Sequence, residues 1–189
     1  MLDPRTDEQL AAEAAREESA GPAFAALVAR FQQRVWRICY RLMGDEHEAS
    51  DAAQEVFLQV FLHRQRFRGE SKYSTWLHGV ALRTCLAMRR GFARRRRREG
   101  IAQETALRQQ QAGSRETPPS VTLDIRQMLN ILEEDERALL LMKYAEGYSH
   151  EELAEMFELS VSACKMRIQR AREKLQQRFP GHEFGSAEN

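Results

Sequence analysis

Apolar positions recur at helical spacing along most of the chain. Leu27, Phe31, Val35, Ile38 and Leu42 follow one another at intervals of four, four, three and four, which draws one apolar stripe down a helix. Gly44 stops that helix and Asp45 is placed to cap the next. Ala49, Ala53, Val56, Val60 and Phe61 form a second stripe. Gly69 and the polar run Glu70-Ser71-Lys72 interrupt the pattern. A third helix is predicted from about Ser74 toward Arg98, with Trp76, Leu77, Val80, Ala81, Cys85 and Met88 as its apolar positions. No stretch of any length alternates with a period of two, so the predicted fold class is all-α.

The segment 99–120 breaks the helical rhythm. It carries Gly100, Gly113, Pro118, Pro119 and the run Gln109-Gln110-Gln111, the composition of a flexible linker that is helical at most in its first part. A structureless loop of that length is uncommon inside one compact domain. Two small helical domains are therefore expected: an acidic segment 1–23, a first domain 24–98, the linker 99–120, a second domain 121–179 and a tail 180–189.

The second domain holds a tight pair of helix starts. Ser149 followed by Glu152 is a capping box, with Gly147 just before it as a helix stop. A short helix through Leu153, Ala154, Met156 and Phe157 leads to Glu158-Leu159-Ser160, and Ser160 caps a second helix over about 161–177. At about 100° per residue, Val161, Cys164, Ile168, Ala171 and Leu175 fall on one side of that helix. Ser162, Ala163, Met166, Gln169 and Arg170 fall on the other, flanked by Lys165 and Arg167. Small and polar groups that approach base edges, with cations beside them for phosphates, are what a DNA recognition helix needs. A plain two-helix packing motif with a solvated face is the alternative.

Charge sharpens this picture. The net charge of +1 hides an asymmetry: residues 1–20 carry six acids against Arg5 and Arg16, whereas residues 83–98 carry eight arginines and no acid. A basic block of that density attracts polyanions. The three cysteines, Cys39, Cys85 and Cys164, are far apart and lie on apolar stripes, so buried thiols are expected and neither a disulfide framework nor a zinc site. His47, His63, His78, His150 and His182 have no metal-ligand spacing, and no glycine-rich phosphate loop or nucleophile motif occurs. The expectation is a non-enzyme without metal or cofactor. No apolar run approaches the roughly 20 residues that a membrane helix needs, and the polar N-terminus does not read as a secretory signal. A cytoplasmic protein with no membrane insertion is expected.

Three stretches, in this order and spacing, resemble the extracytoplasmic-function sigma factors of bacterial RNA polymerase. The first is Asp51-Ala52-Ala53-Gln54-Glu55-Val56-Phe57-Leu58-Gln59-Val60-Phe61, the second runs from Phe67 to Leu77, and the third from Leu139 to Leu175. The resemblance covers about residues 24–179, apart from the linker. It implies a promoter-specificity subunit whose first domain, sigma region 2, docks on the β′ clamp helices of core RNA polymerase through Asp51, Gln54, Glu55 and Leu58. The loop Gly69 to Ser74 then captures a base of melted minus-ten promoter DNA. Arg68, Ser71, Lys72, Tyr73, Ser74 and Trp76 are its candidate contacts, with Trp76 also anchoring the core beneath, and Arg83 and Arg90 follow on the next helix.

By the same resemblance the second domain, region 4, sits on the β flap and reads the minus-thirty-five element through Ser162, Ala163, Lys165, Met166, Arg167, Gln169 and Arg170. An anti-sigma factor is a further implied partner. The chain departs from the family pattern at Arg83, where asparagine is usual, and at Ala87, where aspartate is usual. Glu133 stands for a proline, and Ala163-Cys164 for threonine-valine. A polymerase-independent helix-turn-helix repressor would account for the third stretch and not for the first two.

Overall fold

The computed structural model describes residues 3–106 and 128–180. Most of the expected linker, the first residues of the second domain and all of the tail after 180 lie outside them. Every regular element is a helix, and no strand occurs among the described residues.

Helix α1, Asp7–Ala14, was not expected from the sequence. Thr6 starts it with a capping box: the Gln9 amide N–H donates to the Thr6 hydroxyl at 3.2 Å, and the Thr6 N–H donates to the Gln9 side chain at 2.8 Å. Its inner face, Leu10, Ala11 and Ala14, is buried. The acidic segment is thus part of the first domain's core. Glu17 continues that role by accepting from the Ala23 and Phe24 amides, which caps the next helix.

Helix α2, Pro22–Met43, begins with proline at its first turn, where no amide donor is needed. It ends at Gly44, which takes the left-handed conformation at φ 83° that a side chain would resist. Asp45 caps α3, Glu46–Leu62, by accepting from the His47 and Glu48 amides at 2.9 Å. After a short 3-10 turn at Arg64–Arg66, helix α4 runs from Tyr73 to Ala106. It extends eight residues beyond the expected end near Arg98. Gly100 did not stop it, because the surrounding arginine, alanine and glutamine are good helix formers.

These four helices bury one core around Leu10, Val35, Ile38, Val56, Val60, Leu77 and Leu82. Cys39 and Cys85 meet inside it. Their mutual hydrogen bond and burial push the Cys85 thiol well above its ordinary pKa, and both cysteines are buried packing groups.

The C-terminal unit starts with α5, Glu134–Leu140, whose backbone widens into a π turn over Leu141–Ala145. Then come α6, His150–Met156, and α7, Val161–Arg178. Leu139, Met142, Leu153, Met156, Ile168 and Leu175 form its centre. Cys164 and Ala171 face inward as the helical wheel requires.

Candidate nucleic-acid and partner interface

On α3, Asp51, Gln54 and Leu58 are exposed, and Glu55 is half-buried with its carboxylate accepting from the Gln59 amide at 2.7 Å. Leu58 is 50% exposed and Leu62, one turn on, is 58% exposed. Two bare leucines beside carboxylates make a surface with an apolar centre and a charged rim. Leu62 lies one turn beyond the residues that the resemblance points to, and only its exposure brings it into the patch. Asp51 and Glu55 also line a groove with His63, Trp76, Val80 and Arg83, so α3 and α4 residues given different roles from sequence border one hollow.

The loop before α4 turns at Gly69, where φ is +74°. Beneath it lies an aromatic floor. Phe67 packs edge-on against Tyr73 at 5.2 Å, Trp76 lies 5.7 Å from both, and Phe31 adds an edge contact to Tyr73 at 5.6 Å. Arg68 and Lys72 are exposed on the rim, and Ser71, Ser74 and Trp76 are half-buried.

Tyr73 differs from expectation. It is 3% exposed, so its ring supports the loop and offers no face to a base. Burial, with Asp7 nearby, raises its phenol pKa. Its amide donates to the Glu8 carboxylate at 3.3 Å, which ties α1 to the start of α4.

In the C-terminal unit, Ser149 and Glu152 close the capping box at 3.1 and 2.9 Å. Glu158 makes the turn with φ 55°, and the Ser160 hydroxyl accepts from the Ala163 amide at 3.2 Å. On the outer side of α7, Ser162, Lys165, Met166, Arg167, Gln169 and Arg170 are exposed and Ala163 is half-buried. Met166 is 53% exposed, and Gln169 is steadied by the Glu173 carboxylate at 2.9 Å.

The two units face one another across α4. Arg83 donates to the Met156 carbonyl at 3.2 Å and lies 3.4 Å from the Glu158 carboxylate. Arg89 pairs with Glu134 at 3.0 Å, and Arg90 with Asp135 at 2.8 Å. Glu146, its side chain 2% exposed, is held by Arg34 at 3.0 Å and by Arg41. Tyr148 and His78 share a buried hydrogen bond of 2.7 Å between the phenol oxygen and Nδ1. Burial and the Arg34 charge push the His78 pKa down to about 4. Arg83 and Arg90, expected on DNA, are therefore occupied by the C-terminal unit here. A guanidinium fork accepts a carboxylate as readily as a phosphate.

The same division appears in comparison with known proteins. Residues 27–99 match the family description "Sigma-70 region 2" and residues 122–175 match "Sigma-70, region 4". The RNA polymerase sigma-H factor of Pseudomonas aeruginosa is 30% identical over 186 residues, covering 93% of this chain and 94% of that protein. The chain belongs to the extracytoplasmic-function sigma factors of the sigma-70 family. The ECF RNA polymerase sigma factor SigW of Bacillus subtilis is 28% identical over 166 residues, covering 83% of this chain and 89% of that protein.

Among solved structures, CnrH in complex with the cytosolic domain of CnrY aligns with a TM-score of 0.59 at 24% identity over 90% of this chain and 95% of that one. RpoE of Bartonella quintana, in complex with the anti-sigma factor NepR, aligns with a TM-score of 0.54 at 21% identity over 82% of this chain and 94% of that one. Both likenesses describe the fold. Helices α2 to α4 fall in sigma region 2, and α5 to α7 in region 4. As a sigma factor the chain directs transcription initiation.

Proposed function

We propose that region 2 binds core RNA polymerase through the α3 surface and holds melted minus-ten DNA at the loop Gly69 to Ser74. Region 4 reads the minus-thirty-five element through α7 while seated on the β flap. The observation that carries this reading is the exposed face of α7. Its inward residues Cys164, Ile168, Ala171 and Leu175 are buried, and Ser162, Met166 and Gln169 remain bare between Lys165, Arg167 and Arg170. Such a face suits base edges flanked by phosphates.

The α3 patch supplies docking. Charge at Asp51 and Glu55 steers encounter, and Leu58 with Leu62 adds apolar contact. The loop supplies discrimination. An unstacked base enters above the Phe67 and Trp76 rings, while Arg68 and Lys72 meet phosphate, with Ser71 and Ser74 at the base edge. Tyr73 acts from below by holding that floor. Melted DNA bound more tightly than duplex shifts the equilibrium toward opening, and no covalent step is assigned to the chain. Among the described residues no helix is long and apolar enough to cross a membrane. The reading places the protein in the cytoplasm with its polymerase. RpoE of Bartonella quintana was solved with the anti-sigma factor NepR, which supports an anti-sigma factor as a partner here.

The test is transcription by purified core polymerase on a randomised promoter library, with and without the chain. Selective initiation at two spaced elements is expected only when the chain is present. Equal initiation in both reactions refutes the proposal.

A further inference from the structure

We propose that helix α1 is a brace for the minus-ten loop. It holds the chain on both sides of that loop, through Arg64 before it and Glu8 after it, and so sets where Ser71, Lys72 and Ser74 meet an unstacked base. Glu8 and Arg64 are positioning residues and do not themselves touch DNA. This deepens the reading of Gly69 to Ser74 as the base-capturing loop and rests on it. Helix α1 itself lies before residue 27, where the match to region 2 begins.

Both ends of the loop meet α1. Before the loop, in the turn Arg64–Arg66, the Arg64 guanidinium donates to three carbonyls at once: Ala14 at 2.9 Å, Glu17 at 2.7 Å and Phe61 at 2.6 Å. Ala14 ends α1 and Phe61 lies in the last turn of α3, so one fork of donors joins the two helix ends. After the loop, the amide of Tyr73, the first residue of α4, donates to the Glu8 carboxylate at 3.3 Å. The first amides of a helix have no partner inside it. A carboxylate there is favoured twice, by the hydrogen bond and by the helix dipole. The chain from Phe67 to Lys72 is thus strung between two points fixed on one short helix.

The brace is itself fixed. Leu10, Ala11 and Ala14 are buried in the core. Arg30 on α2 pairs with Asp7 and donates to the Asp3 and Arg5 carbonyls at 2.7 and 3.0 Å. Between the anchors, Arg68, Gly69, Glu70 and Lys72 are exposed, so the shape of the loop is decided at its ends. A loop ordered before binding loses less freedom when it takes up a base. The brace therefore raises affinity for melted DNA without contacting it.

The experiment uses holoenzyme assembled from core polymerase and the full chain. Its probe is a forked oligonucleotide from a promoter recovered in the library selection, duplex upstream and single-stranded across the minus-ten element. A companion set replaces each single-stranded base in turn by an abasic site. With the wild type, loss of affinity at an abasic position marks a captured base. Glu8→Ala should weaken binding of the intact fork by roughly threefold to tenfold, as one net hydrogen bond allows. It should leave the fork that is abasic at the captured position bound as before. Arg64→Ala should do the same, and neither should change affinity for core polymerase. Glu8→Gln keeps an oxygen acceptor and should retain most of the wild-type affinity. Ile38→Val trims a fully buried side chain on α2 and touches neither anchor. It should lower stability and leave both forks bound normally.

Unchanged intact-fork affinity in Glu8→Ala or Arg64→Ala, or equal weakening on intact and abasic forks, overturns the proposal. So does a Glu8→Gln variant as weak as Glu8→Ala, or the same weakening in Ile38→Val. A failure of the underlying reading shows separately. The wild type is then indifferent to every abasic position, or alanine at Ser71, Lys72 and Ser74 together leaves fork binding as it was. A brace that fails on its own leaves that loop variant defective.

Discussion

The buried His78–Tyr148 contact should make the closure of region 4 against region 2 sensitive to acid, and the size of the effect follows from the surroundings of the ring. Tyr148 faces His78 from region 4, Phe31 packs edge-on at 6.2 Å, and the Arg34 guanidinium, paired with Glu146, adds a repelling positive charge. The imidazole is held neutral, with a pKa of about 4 against an ordinary value of 6.5. Where opening rehydrates the ring, the open form takes up a proton more readily than the closed form, with Arg34 on α2 still holding its pKa somewhat below the ordinary value.

The sign is therefore fixed. Closure is at full strength above pH 6.5 and weakens as pH falls from 6.5 toward 4. At pH 5.5 the open form gains at most about 1.4 kcal/mol, no more than roughly a tenfold shift in the open-to-closed ratio, because Arg34 stays beside the ring. Energy transfer between dyes on His47→Cys and Gln177→Cys, both at exposed positions, followed from pH 7.5 to 5.5 at constant ionic strength, should fall while far-ultraviolet circular dichroism stays constant. His78→Phe keeps an aromatic ring in place and removes the titrating group. Its transfer should lose most of this dependence. A wild type whose transfer does not change over that range, or a His78→Phe variant that follows the same curve, refutes the assignment.

Four further outcomes are expected. Asp51→Arg with Glu55→Arg should weaken binding to core polymerase at unchanged helical content, measured by pull-down of the folded double variant. Lys165→Ala or Arg167→Ala should weaken binding of upstream duplex DNA of every sequence and reduce the slope of log affinity against log salt by about one, whereas changes at Ser162, Met166 or Gln169 should alter sequence preference instead. Alanine at Ser71, Lys72 and Ser74 together should leave polymerase binding near normal and sharply reduce permanganate reactivity of unpaired thymines in the minus-ten region. Leu10→Ala, at a side chain with no solvent exposure, should destabilise region 2 by about 2–5 kcal/mol in denaturant melts; a value near zero would show α1 to be an appendage.

Much of the fold was legible because the signals are local. The α2 stripe, the Gly44 stop, the Asp45 cap and the Ser149 and Ser160 caps each depend on residues within a turn or two. The α7 wheel placed Cys164, Ile168, Ala171 and Leu175 inside correctly for the same reason. Helix α1 was missed although Thr6 and Gln9 carry a capping box, because its buried face is mostly alanine and its acids resemble a solvated tail. The burial of Tyr73 was not legible from a loop flanked by three aromatics. Which ring faces inward is decided by Phe31, forty-two residues away in the chain, and by the Glu8 bond to its amide. The pairing of Arg83 with Glu158 and of Arg90 with Asp135 was illegible for a stronger reason: it joins distant segments by charge alone, and no periodicity records it.

That last gap also explains how the arginine row supports two readings. A guanidinium presents a planar fork of donors that fits the paired oxygens of a carboxylate or of a phosphate. The sequence expectation of DNA at Arg83 and Arg90 and the observed carboxylates concern the same donors with different occupants. The choice between occupants rests on their solvation. Arg89, less exposed and also bonded to the Leu42 carbonyl, is anchored within region 2 as well as to Glu134. Arg83 and Arg90 sit further out in water, where exchange of one anion for another costs little. Glu146 is different again: buried between Arg34 and Arg41, it cannot leave without stranding a charge on one side or rehydrating it on the other. The outer pairs are thus the part of the seam that another anion can replace at least cost. Glu146, with Tyr148 beside it, is the part of the seam most costly to separate, because two guanidinium groups hold its carboxylate out of water.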